Sequence, residues 1–151
     1  MTLAETQKRT AEDFIRGYNE WTLEGLLRAR SDDCVHVTLP ASLGRPNRTN
    51  EDYREFFKPL SHMISELKME ILNFVNDSDQ HKAVVHAKGA GESLVGPYRN
   101  EYAFFFDFNA DGTKVVRAEE FVDSAFSNGF SAKLEEYMKA RNGKSAGSQD
   151  G

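Results

Sequence analysis

A long β-hairpin near the end of the chain constrains its fold more than any other segment. The first strand is predicted over residues 98–108, where aromatic and small apolar residues dominate. The turn falls at residues 109–112, and the second strand returns over residues 113–124. Ala110-Asp111-Gly112 is typical of a three-residue loop in which Gly112 is left-handed and a bulge lies beside it. The segment therefore predicts an antiparallel sheet.

This loop implies a register that places one carboxylate among apolar residues. Tyr102 faces Glu120 and Phe104 faces Ala118, whereas Glu119 lies on the opposite face. Apolar surroundings raise the pKa of a carboxyl group, and a phenol can hydrogen-bond to it. Glu120 is therefore the main candidate acid or base. Two alternatives stay open: Glu120 is a structural carboxylate at a barrel edge, or a register slip of one residue gives Glu119 the role.

Composition narrows the class of protein. The 151 residues suffice for one domain with a real core. The 19 Lys and Arg against 24 Asp and Glu give a net charge of −5 with no basic block, which argues against a nucleic-acid partner and an anionic membrane surface. No apolar run is long enough to span a bilayer. Cys34 is the only cysteine, so no internal disulfide forms, and we expect a cytoplasmic protein.

The order of predicted elements indicates an α+β fold. Helices come first, then strands, and the expected ranges are a helix over 5–19, a short helix capped by Thr22, a strand over 34–39, a helix capped by Asn50, strands over 68–76 and 82–88, the hairpin, and a closing helix over 129–140. Such an order wraps a strongly curved, mainly antiparallel sheet over the helices. A single domain over residues 1–141 and a disordered tail over residues 142–151 complete the prediction.

Several motifs resemble one known family. They are Trp21, Arg30-Ser31-Asp32-Asp33-Cys34-Val35-His36, Leu39-Pro40, Ser42-Leu43-Gly44-Arg45-Pro46, Asn50 with Tyr53, Gly96-Pro97-Tyr98-Arg99-Asn100-Glu101-Tyr102, and Glu120-Phe121-Val122-Asp123-Ser124. With the element order, they resemble the SnoaL-like branch of the nuclear transport factor 2-like superfamily. The likeness is closest to small proteins of fungal secondary-metabolite clusters. The resemblance implies a cone-shaped fold and isomerase or cyclase chemistry without a cofactor.

The resemblance also implies site residues. Such proteins use an arginine after the second helix, two tyrosines four residues apart and a glutamate on a late strand, which correspond to Arg30, Tyr98, Tyr102 and Glu120. Arg30 would clamp a carboxylate or carbonyl, and the phenols would hold substrate oxygens. The alternatives are that Arg30 forms a structural salt bridge, that Arg28 takes its place, and that both tyrosines only pack in the sheet.

Other candidate residues carry weaker signals. His36 alternates with its strand neighbours and is either a second acid/base or a core histidine. Asp107, Asn109 and Asp111 imitate the start of a calcium loop, but Ala118 stands at the twelfth position, so we expect no metal. The glycines follow no phosphate-binding pattern, so no nucleotide cofactor is expected.

The expected function is a cofactor-free isomerase or cyclase acting on a small oxygenated polyketide, terpenoid or alkaloid intermediate. A dehydratase like scytalone dehydratase is one alternative, and it requires a second histidine in the cavity, for which His86 is the candidate. A non-catalytic ligand-binding or dimerising module is another. It predicts a closed cone mouth and no basic shift of the Glu120 pKa.

The outer face of the hairpin predicts a homodimer. Phe105, Phe121 and Ala103 alternate there with charged residues, and Arg99 is expected to pair with Asp123 across the strands. A monomer would expose these aromatic side chains to water, whereas a two-fold sheet contact would bury them.

Overall fold

The computed structural model describes residues 1–149, with side chains described through residue 143. Within these residues the helices are α1 (Leu3–Glu20), α2 (Leu23–Leu27), α3 (Asn50–Met63) and α4 (Ser124–Gln149), and the strands are β1 (Arg30–Leu39), β2 (Ile64–Asp77), β3 (Lys82–Ser93), β4 (Tyr98–Phe108) and β5 (Val115–Val122). A short 3-10 turn spans Ala41–Leu43. No helix in this range is long and apolar enough to cross a membrane.

The five strands form one sheet in the order β1-β5-β4-β3-β2. β1 runs parallel to β5, while every other neighbouring pair is antiparallel. α1 and α2 precede β1, α3 lies between β1 and β2, and α4 follows β5. Residues of these helices pack with the strands in one hydrophobic core. The α+β class and the mainly antiparallel sheet predicted from the sequence are therefore confirmed.

The core lies between α1 and the middle of the sheet. Phe14 of α1 is buried against Phe104 and Phe106 of β4, with ring centroids 6.0 and 4.7 Å away. α1 has a capping box in which Thr2 and Glu5 satisfy each other's backbone N–H groups. The apolar residues on one side of α1, including Phe14, pack against the sheet. They hold this capped helix across the strands that carry the candidate site.

The hairpin register differs from the predicted one by two residues. Glu120 lies opposite Phe104, and Tyr102 lies opposite Val122. The loop is longer than expected, because Asp111 accepts a 3.1 Å hydrogen bond from the Thr113 N–H and β5 starts only at Val115. Gly112 is left-handed as predicted, with φ at 75°. A shift of two preserves the face of every side chain, so Glu120 stays on the inner face and Glu119 on the outer one.

Three further expectations differ from the structure. Asp123 does not pair with Arg99: its backbone N–H bonds to Glu101, and its carboxylate accepts from two N–H groups in the first turn of α4. Thr49, not Asn50, caps α3, and Asn50 instead donates to the Ser31 carbonyl at 2.8 Å. α4 starts earlier than predicted and its backbone continues through residue 149, into the segment expected to be disordered, of which residues 150 and 151 lie outside the described part.

Candidate functional site

A cavity of about 140 Å³ opens between the inner face of the sheet, α3 and the first turns of α4. Aromatic and aliphatic side chains form most of its wall, including Trp21, Phe56, Phe57, Phe126 and Phe130. A small set of polar side chains, including Tyr18, His36 and Glu120, also lines this cavity. An apolar pocket with a few converging polar groups is the usual form of a small-molecule site.

Glu120 is the only carboxylate among the residues that line this cavity. Its side chain is 16% exposed, and one oxygen accepts a 3.2 Å hydrogen bond from the Tyr18 hydroxyl. The same oxygen lies 3.8 Å from His36 Nε2. Burial raises the pKa of Glu120, but His36, Tyr18 and the charge of Arg30 outweigh burial, so the net pKa lies below its ordinary value. The expected gain in basicity is therefore wrong, and Glu120 is an ionised carboxylate at neutral pH.

Arg30 determines the state of His36. Arg30 Nη1 lies 3.0 Å from His36 Nδ1, and a guanidinium can only donate, so Nδ1 must accept. The proton of a neutral His36 is then on Nε2, the nitrogen nearest Glu120. Burial, followed by the charge of Arg30, lowers the pKa of His36. His36 is thus a neutral imidazole that presents an N–H group toward Glu120.

Arg30 itself is built into the core behind His36. It is 4% exposed, its guanidinium lies between the rings of Phe14 and Tyr53 at 4.7 and 4.2 Å, and Nε donates to the Leu26 carbonyl. It is not part of the cavity wall. The direct clamp on substrate expected of Arg30 does not fit this placement. Arg28 does not replace it, because Arg28 pairs on the surface with Asp13 and Glu20.

Tyr98 and Tyr102 share the inner face of β4, as their spacing predicts, and both line the cavity. Their hydroxyl groups hydrogen-bond to each other, and Asn100 donates to Tyr98 at 3.3 Å. Burial raises the pKa of Tyr98 to about 12 and raises that of Tyr102 well above its ordinary range. Both phenols therefore stay protonated at neutral pH and form one paired donor site, rather than two separate ones.

The cavity also contains polar residues that the sequence did not single out. Tyr18 is the phenol that reaches Glu120, a role expected of Tyr102. Tyr53 lies beside His36, with ring centroids 5.1 Å apart and the rings tilted by 32°, and burial raises the pKa of Tyr53. Arg45 and Arg48 lie in the wall beyond the 3-10 turn. The helical periodicity of α1 and α3 marks Tyr18 and Tyr53 as inward-facing, but only the tertiary structure brings them to Glu120.

Two residues from the open alternatives, Glu119 and His86, lie away from the cavity. Glu119 is on the outer face near Arg117, at 3.4 Å. His86 is also on the outer face, where it bonds to Glu101 at 2.7 Å and is 44% exposed. His86 therefore cannot be the second cavity histidine of a dehydratase. Cys34 is buried and is not among the residues that line the cavity. Within the described residues, no group of three or more His, Cys, Asp or Glu is placed to hold a metal.

Comparison with known proteins identifies the family. Residues 11–118, more than half of the chain, match the SnoaL-like domain. The chain belongs to the SnoaL-like family. Monooxygenase AacuP from Aspergillus aculeatus is 39% identical over 138 residues, which cover 91% of this chain and 95% of that protein. Monooxygenase nsrQ from Aspergillus novofumigatus is 41% identical over 135 residues, 89% of each chain.

Solved structures agree with this assignment. The BvnE pinacolase from Penicillium brevicompactum has a TM-score of 0.84 and 27% identity, covering 90% of this chain and 97% of that one. AusH from Aspergillus nidulans has a TM-score of 0.74 and 29% identity, covering 80% and 85%. The predicted nuclear transport factor 2-like fold is thus confirmed for this SnoaL-like chain.

Proposed function

We propose that this SnoaL-like protein is an isomerase or cyclase that rearranges a small oxygenated secondary-metabolite intermediate by acid/base chemistry, without a cofactor. The observation that carries the proposal is an ionised carboxylate, Glu120, held in an apolar cavity beside the neutral donors Tyr18 and His36. A buried base next to fixed hydrogen-bond donors suits proton removal beside a carbonyl. The similar fold of the BvnE pinacolase supports a rearrangement as the class of reaction.

The site residues then have distinct roles. Glu120 accepts a C–H or O–H proton from the substrate. The paired hydroxyls of Tyr98 and Tyr102 donate to the oxygen on which negative charge develops, and the Nε2–H of His36 holds a second oxygen or the proton-bearing Glu120. Arg30 is a positioning residue that keeps His36 in this tautomer. The low pKa of Glu120 limits it to substrates whose protons are already acidic.

A second candidate is oxygenation, which the names of two curated relatives specify. Proton removal by Glu120 would give an electron-rich anion that reacts directly with O₂. In the overall reaction with O₂, a CH₂ group becomes C=O. One oxygen atom enters the product, and the other leaves as water with the two hydrogens. The substrate is the reductant, so the first step is shared with the isomerase and only the fate of the anion differs.

The ligand-binding module keeps one argument in its favour. It predicts no basic shift at Glu120, and the pKa of Glu120 is indeed lowered. It also predicts a closed cone mouth, whereas the cavity is partly open to solvent. A wild-type protein that binds its ligand but catalyses no reaction would support this binding module over an enzyme.

One probe separates these functions. Anthrone has an acidic CH₂ group, and its reaction with O₂ gives anthraquinone and water. In D₂O without oxygen, we expect wild-type protein to accelerate deuterium entry at that CH₂ group and Glu120→Gln to lower this acceleration about 10²-fold. Glu119→Gln, on the outer face, is the matched control and stays active. Admission of O₂ then tests oxygenation: enzyme-dependent oxygen consumption favours it, and exchange without consumption favours the isomerase.

We also infer that the protein is a cytoplasmic homodimer. Phe105 and Phe121 are 43% and 44% exposed on the outer face of the sheet, with Ala103 opposite Phe121. Two aromatic side chains on adjacent strands form an apolar surface that a second copy would cover. Light scattering tests this, since a mass of 17.1 kDa, that of one chain, at micromolar concentration contradicts the dimer.

A further inference from the structure

Two arginines, Arg45 and Arg48, lie in the cavity wall between the 3-10 turn and α3. Arg45 is tied to α4, where its Nη2 donates to Ser131 Oγ at 2.7 Å and lies 3.4 Å from the Ser127 carbonyl. Arg48 is different. Its guanidinium lies 3.9 Å from the centroid of the Phe56 ring, and no ion pair or side-chain hydrogen bond of Arg48 is found among residues 1–143.

The backbone holds Arg48 firmly beside the acid/base pair. The N–H of His36 donates to the Arg48 carbonyl at 2.8 Å, and the Arg48 N–H donates back to the His36 carbonyl at 2.9 Å. The next residue, Thr49, is the cap of α3. The backbone of Arg48 is therefore held by β1 through His36 and by α3 through Thr49. Its side chain is half-buried, and burial lowers its pKa.

A half-buried guanidinium without an acidic partner is costly unless something else supplies the negative charge. Glu120 forms no ion pair with Arg48: its Oε1 bonds to Tyr18 and faces His36, and the charges of Glu120 and Asp52 reach Arg48 only at longer range. Arg45, Arg48 and Glu120 are the charged residues among those lining the cavity, so the wall has an excess of positive charge in a protein whose net charge is −5. Arginine donors in this setting are suited to a carboxylate or an ionised phenol.

We propose that the substrate of this site is an anion whose carboxylate or acidic phenolate binds Arg48, with Arg45 adjacent. The proposal rests on the function proposed above and narrows it from an oxygenated intermediate to an acidic one. The anion lies against Arg48 and Phe56, and the ring system extends toward Tyr98 and Tyr102. Arg48 thereby selects acidic substrates and orients them for Glu120.

Binding of three probes to the full-length protein tests this at pH 7.5. 1-Naphthoate carries a carboxylate, 1-naphthamide is its neutral counterpart, and 2,4-dinitro-1-naphthol is an ionised phenol. Trp21 is the only tryptophan and lines the cavity, so its indole N–H resonance in NMR titrations reports occupancy there. We expect one or both anions to bind at least roughly tenfold more tightly than the amide. Tighter binding of 1-naphthoate would identify a carboxylate as the preferred group, and tighter binding of 2,4-dinitro-1-naphthol would identify a phenolate.

The variants make the result specific. Arg48→Met should weaken the preferred anion roughly 10- to 100-fold and leave 1-naphthamide nearly unchanged. Arg54→Met removes the same charge from an exposed position on α3, where Arg54 pairs with Glu51, and should change neither. Glu120→Gln should tighten anion binding, because it removes a like charge. Equal affinity for anions and amide, or equal losses for both in Arg48→Met, would overturn the proposal.

The outcomes separate this inference from the proposed function. Anion selectivity that depends on Arg48, together with full exchange activity in Glu120→Gln, would contradict the acid/base function and keep the anion site. Loss of exchange in Glu120→Gln without anion selectivity would support the acid/base function and contradict the anion site.

Discussion

Replacing Glu120 by glutamine removes the proton acceptor and little else. The amide is nearly isosteric, and its oxygen can still accept the hydrogen bond of the Tyr18 hydroxyl, which is 3.2 Å from the carboxylate in the native protein. A positioned general base contributes about 10²–10⁴-fold to a rate. Since the low pKa makes Glu120 a modest base, we expect a loss near the lower end, about 10²-fold, in kcat rather than in KM.

The assay is deuterium exchange into anthrone without oxygen, followed by NMR, with thermal unfolding as a check on the fold. The pH dependence supplies a second readout. Glu120 has a folded pKa below its ordinary value of about 4.3, so the rate should be flat through neutral pH and fall only in acid. An active Glu120→Gln with an inactive Glu119→Gln would refute the site, and a rate that drops near pH 6–7 would refute the ionisation state given for Glu120.

Other substitutions test the supporting residues. Tyr102→Phe removes one donor from the tyrosine pair and should lower kcat by about 10–1000-fold, measured by the same exchange assay. Arg30→Lys keeps the charge but loses the planar fork between Phe14 and Tyr53; ¹⁵N NMR of His36 should then show a mixture of tautomers, and an unchanged spectrum would contradict the positioning role. Phe121→Asp should convert the dimer into a monomer by light scattering without loss of exchange. Stability should fall as the pH drops through the folded pKa of Glu120, because a lowered pKa stabilises the fold only while the group is ionised; acid titration of thermal unfolding, with Glu120→Gln as control, measures this.

The alternation of side chains along a strand predicted which residues face the site. Strand alternation placed Glu120 and Tyr102 on the inner face, and that assignment survived a register error of two residues because the side-chain period is two. The error came from the loop, where the Asp111 carboxylate bonds to Thr113 and delays the start of β5. Local side-chain hydrogen bonds of this kind are not visible in a hydrophobic pattern.

The electrostatics of the site could not be predicted in the same way. The neighbours of Glu120 on the same face of the strand, Ala118 and Val122, are apolar, which favours a raised pKa. The groups that reverse this shift, Tyr18 and His36, come from α1 and β1, far away in the chain. Arg30 shows the same limit: its sequence position matches a family pattern, but its place between two aromatic rings depends on how α1 and α3 pack.

The geometry also explains how one cavity can serve both rearrangement and oxygenation. In the proposed mechanism, Glu120, His36 and the tyrosine pair act on the proton and on the oxygen that becomes charged, and they do not determine what the resulting anion does next. That outcome depends on the substrate: an anion with an internal electrophile rearranges, whereas an anion that is easily oxidised meets O₂. One fold can therefore host different activities through differences in substrate alone. Selection of the substrate, in which Arg48 is the proposed determinant, would consequently decide the reaction of this chain.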